Sequence, residues 1–166
     1  SCEDYLEVVP KSQVADANVF TETDQADLFL NSVYSGLPSV VNRFDPWENW
    51  SDDAMDGINA SVSRNTYAIS AYTPDNAETM WGQYNEIRKA NLFIEKVEGS
   101  ELPNEWKAVR LAEARFLRAY FYSQLWTWHG GVPIIAEVLN QAEQGDDIFR
   151  ERASAQETFE FITSEL

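Results

Sequence analysis

EARFLRAYFYSQLWTWHGGVPII, residues 113–135, decides how this chain folds. Nothing in it breaks a helix before Gly130-Gly131, and Pro133 then forbids continuation. Reading upstream to Pro103, the residues Trp106, Val109, Ala112, Phe116, Ala119, Tyr120, Leu125 and Trp128 recur at helical spacing. The stretch therefore predicts one long helix between Pro103 and Gly130. Glu113, Arg115 and Arg118 lie among its apolar residues. Their expected work is structural: an arginine holding neighbouring loop carbonyls, or an ion pair across a hairpin.

Outward from this helix, others follow. Asp75 and Glu78, three apart, have the form of a capping box. The helix they would open runs through Met80, Trp81, Tyr84, Ile87, Asn91, Ile94 and Val97 and stops at Gly99. The short link to Pro103 makes it an antiparallel neighbour of the long helix. Trp81 and Trp106 fall on apolar faces and read as core. An earlier helix begins near Thr23 or Asp24, carries Ala26, Phe29, Leu30, Val33, Tyr34 and Leu37, and is stopped by Gly36 and Pro38. Beyond VPII, a brief apolar exit at residues 132–135, residues 140–151 are polar and loop-like. Ser154 and Glu157 form a second capping box, followed by Phe159, Ile162 and Leu166. That stripe reaches Leu166 with no stop signal, so the chain is expected to be cut there. The reading is all-α: tetratricopeptide-like helix hairpins with a long irregular loop after the first helix. Residues 1–22 are an extended lead and 23–166 a helical domain. Ala112 and Phe116 fit the A-x3-F spacing of tetratricopeptide units, although no repeat recurs at a fixed period.

The loop, residues 38–75, holds Pro38, Pro46 and Pro74 and the aromatics Phe44, Trp47, Trp50, Tyr67 and Tyr72. At its centre is WENWSDDAMDGIN, residues 47–59. An EF-hand starting at Asp52 fails, because the third position is Ala54 and the twelfth is Ser63. Sugar binding fits better. A flat indole covers the apolar face of a sugar ring, and carboxylates and amides meet its hydroxyls. Trp47, Trp50, Asp52, Asp53, Asp56, Asn59, Asn65, Tyr67 and Tyr72 are the candidate ligand contacts. In the bland alternative both tryptophans pack on the helices and the acids cap turns.

Composition narrows the function. With 28 acids against 12 bases the net charge is -16, which repels polyanions and argues against a nucleic-acid partner. His129, the sole histidine, sits at a helix end, where an imidazole commonly caps carbonyls. No nucleophile–histidine–acid set can be assembled, and no metal or cofactor is indicated. A glycosidase needs two placed carboxylates, and among 28 acids two near neighbours identify nothing. Cys2 is the sole cysteine, so no internal disulfide forms. Next to a small Ser1, it reads as the lipid-modified cysteine of a bacterial lipoprotein. No apolar run approaches the ~20 residues that span a bilayer.

Several segments, in order, resemble the SusD/RagB-like nutrient-binding lipoproteins. WGQYNEIRKANLFIEKVEG resembles that family's "W…Y..I..aN..i" helix, and EARFLRAYFYSQLWTWHGGVPII its "eAr.lRA.yy..l…G.vP" segment. RASAQETFEFITSEL is similar to the family's following helix, CEDYLEVVP to its mature N-terminus, and SDDAMDGIN to its short "sD" segment. The resemblance implies a lipid anchor at Cys2, display on the outer-membrane surface, and binding of oligosaccharide or another nutrient without cleavage. It also implies a SusC-like TonB-dependent transporter as partner. Met55 to Ile58 are not aromatic, so starch contacts do not carry over directly. A helical-repeat protein–protein adaptor and, less well supported, a glycosidase fragment are the rival readings.

Overall fold

The structure, a computed structural model, describes residues 19–38, 70–71, 73–75 and 79–166. The chain divides into two compact units, one of Ser1–Gly36 with Met80–Leu166 and one of Leu37–Thr79. In the second, the described residues are turns and irregular backbone, with Ser70 at φ 56. The first is all-α. Its helices are α1 (Thr23–Tyr34), α2 (Gln83–Glu98), α3 (Asn104–His129), α4 (Gln141–Gln144) and α5 (Ala155–Ser164), with a 3-10 turn at Gly145–Ile148. No strand occurs among the described residues.

Helices α2 and α3 form the antiparallel hairpin that the short link demands. Arg115 of α3 reaches back to Glu98 at the end of α2, 3.0 Å away. Helix α1 packs against both, and α5 packs on α3. The core follows from one stripe on each helix: Ala26, Leu30 and Val33 from α1; Ile87, Ala90, Phe93, Ile94 and Val97 from α2; Ala114, Leu117, Phe121, Tyr122 and Leu125 from α3. Phe29 and Phe93 stack at 6.3 Å across α1 and α2.

Three expectations need correction. Helix α2 begins at Gln83, not at Asp75, and Asp75 lies in a turn. Met80 takes φ 54, which no right-handed helix accommodates, so Met80 and Trp81 precede the helix. On α3 the buried face is turned from the expected one. Ala112 is exposed and Phe116 is 55% exposed, whereas Leu117, Arg118 and Phe121 are buried. The A-x3-F pair thus lies outside the hairpin core. Residues 140–151, read as loop, contain the short α4 and the 3-10 turn.

The capping box at α5 is present as expected. Ser154 Oγ accepts from the Glu157 amide at 3.1 Å, and Glu157 accepts from the Ser154 amide at 2.7 Å.

Candidate functional site

Pro133 and the two glycines before it turn the chain out of α3 into an extended strap, residues 131–139. A strap without a ladder must place its polar groups elsewhere. Here side chains of both hairpin helices take them. Asn91 donates to the Ile135 and Glu137 carbonyls, both at 2.9 Å. Tyr84 donates to Pro133 O at 2.6 Å, and Tyr122 accepts from the Ile135 amide at 2.7 Å. Burial raises both phenols, Tyr122 to about 12, so each stays a neutral hydroxyl at ordinary pH.

Arg118 completes the clamp. It donates to Asn91 Oδ1 at 2.8 Å and to Ala136 O at 3.3 Å. Its other edge pairs with Glu165 at 2.5 Å; Arg118 is buried and Glu165 nearly so. This bears out the expected carbonyl-holding arginine. Asn91 was read only as a stripe position. A polar side chain between Ile87 and Ile94 must find partners when buried, and that rule could have marked it. Gly131 seals the junction: a Cβ there would come within 2.0 Å of Ala153 O. A groove of about 250 Å³ remains between α2 and the strap, lined by Tyr84, Ile87, Arg88, Asn91, Ile135 and Leu139.

At the same end of the hairpin lies an aromatic surface. The His129 ring stacks on Trp81 with centroids 3.9 Å apart and planes within 2°. Tyr84 lies nearly parallel to the same indole, 6.1 Å away. One turn back along α3, Trp126 donates its indole N–H to Ala155 O at 2.9 Å and packs on Phe159 of α5. Arg152 donates to the carbonyls of Gly131 and His129. Trp81, read from sequence as core, is 42% exposed. Holding Met80 in the left-handed region costs about 1–2 kcal/mol for a residue with a Cβ. The Trp81–His129 stack that follows helps to offset that cost.

A separate polar cavity of about 290 Å³ lies between α1 and α3, lined by Asp27, Leu30, Asn31, Tyr34, Arg110 and Glu113. Arg110 bridges Asp27 at 2.7 Å and Glu113 at 2.9 Å, and the Asp27 hydrogen bond leads in raising its pKa. This ties α1 to α3 through one guanidinium shared by two carboxylates. Among the described residues no group of three or more His, Cys, Asp or Glu side chains could hold a metal. None of their helices is long and apolar enough to cross a membrane. The sequence-derived contacts Trp47, Trp50, Asp52, Asp53, Asp56, Asn59, Asn65, Tyr67 and Tyr72, and Cys2, lie outside the described residues.

The described residues thus form an all-α scaffold of tetratricopeptide-like helix hairpins, with a clamped strap after α3. Over residues 4–166 the chain matches the SusD-like family described as "Starch-binding associating with outer membrane", and it belongs to that family. It is 29% identical to SusD-like protein P38 of Formosa agariphila, a match covering 100% of this chain and 33% of the relative. Its fold is similar to that of a SusD-like carbohydrate-binding protein from Bacteroides fragilis, with a TM-score of 0.69 and 26% identity over 89% of this chain and 31% of that one. A laminarin-binding SusD-like protein superposes with a TM-score of 0.71 at 22% identity, over 87% of this chain and 32% of that one. The chain thus spans about a third of the length of the relatives it matches.

Proposed function

We propose that this chain belongs to a cell-surface lipoprotein that captures oligosaccharide and passes it to a SusC-like TonB-dependent transporter in the outer membrane. The family match over residues 4–166 carries the proposal. The net charge of -16 favours neutral glycans over anionic polymers. Binding is passive, through aromatic faces and polar groups, with no catalytic step. Trp47 and Trp50 supply ring faces, and Asp52, Asp53, Asp56, Asn59, Asn65, Tyr67 and Tyr72 are candidates for the hydroxyl fringe and further stacking. Cys2 carries the lipid. A single acyl chain holds a protein only marginally, so several chains or the barrel partner must share the attachment.

Glycan binding by the full-length protein tests the reading. Neutral oligosaccharides should bind and be recovered uncleaved, and Trp47→Ala and Trp50→Ala should weaken capture. Released sugar would instead support a glycosidase. Labelled palmitate should enter the native protein and be lost with Cys2→Ser. Isolation from native membranes should recover a large β-barrel.

A further inference from the structure

We propose that the strap, residues 131–139, and helix α5 open and close as one unit on the α2–α3 hairpin, so that the hold on α5 sets the hold on the strap. Neither segment is tied down by itself. The strap has no ladder, and α5 buries only Thr158 and Ile162 among its ten residues. Segments with so few buried groups open before the core that carries them. Helices α1, α2 and α3 also pack on one another, which gives their apolar stripes a core of their own.

Three side chains join the strap to α5. Thr158 of α5 accepts from the Val132 amide at 3.2 Å. Tyr122 of α3 accepts from the Ile135 amide at 2.7 Å and meets the Phe161 ring of α5 edge-on at 5.0 Å. Arg118 donates to Ala136 O, pairs with Glu165 at the end of α5, and lies over Phe161, 5.7 Å from its centroid. Lifting α5 away takes Thr158 from Val132 and leaves the Arg118 guanidinium without its carboxylate. An unpaired charge is costly to keep buried, so the guanidinium turns to water and releases Ala136 O. The strap is one wall of the groove of about 250 Å³ beside α2, so the same event opens that groove. A change at the end of α5 is thereby felt at Tyr84 and Asn91.

The test is hydrogen–deuterium exchange of the full-length protein, read by mass spectrometry on peptides from the strap, α5 and α2. Glu165→Gln removes the charge that pairs with Arg118 and keeps the shape of the side chain. Exchange should quicken about tenfold in the strap and by the same factor in α5, the loss of one charge-assisted hydrogen bond, with α2 unchanged. A rise in only one of the two segments, or in neither, overturns the inference. An equal rise in α2 overturns it too, because the unit would then not open apart from the hairpin. Should Glu165→Gln fail to fold, the wild type decides. In urea short of unfolding, strap and α5 should lose protection along one common slope, at a lower opening free energy than α2. Two different slopes, or one shared with α2, overturn it.

Discussion

Met80, at φ 54, sits where a residue with a Cβ is strained and glycine is not. Met80→Gly and Met80→Ala both delete the side chain and differ chiefly in that preference. Urea titration should therefore find the glycine variant more stable than the alanine variant by about 1 kcal/mol. Equal stabilities would mean that the turn relaxes out of the left-handed region. Arg118 presents a different case. It is buried with Glu165 and Asn91 as partners, so Arg118→Met leaves a largely buried carboxylate and an amide oxygen without their donor. Breaking a buried pair from one side costs about 3–5 kcal/mol, and the same titration should show a loss of that order.

Helix α5 depends on its first turn. Ser154 and Glu157 satisfy each other's backbone amides, and hydrogen bonds from the Ser154 backbone and then its side chain hold the Glu157 carboxyl below its ordinary pKa. A folded-state pKa below the unfolded value gives stability that is full above the unfolded value, ordinarily 4.5. It is lost as pH falls through the lower folded value. The melting-temperature gap between wild type and Glu157→Gln should therefore be widest at neutral pH and close in acid below that range. A gap independent of pH would assign the cap to the Ser154 hydroxyl alone.

The hairpin was legible because its punctuation is strong. Pro103, the Gly130-Gly131 pair and Pro133 bracket α3, and the Ser154–Glu157 spacing opens α5. Three features were not. The apparent capping box at Asp75 could not reveal that Met80 would leave the right-handed region, so α2 was begun eight residues early. On α3 apolar residues occur nearly all round, so periodicity alone did not say that Leu117 and Phe121 go inward while Phe116 does not. Helical spacing puts Trp81 on an apolar face, whereas it precedes the helix and is partly exposed, stacked on His129. The candidate ligand contacts Trp47 and Trp50, read from the loop sequence, lie outside the described residues.

The strap also bears on the order in which the protein assembles. Asn91, Tyr84 and Tyr122 meet residues 133–137 only after two helices have docked, and Asn91 lies 44 positions from Ile135. Closing such a loop early costs entropy that no ladder within the strap returns. The helical pair is therefore expected to form first, with the peptide from Gly131 to Leu139 settling onto it late. Asn91→Ala should then speed unfolding and leave the refolding rate nearly unchanged in stopped-flow measurements, and slowed refolding would reverse the order.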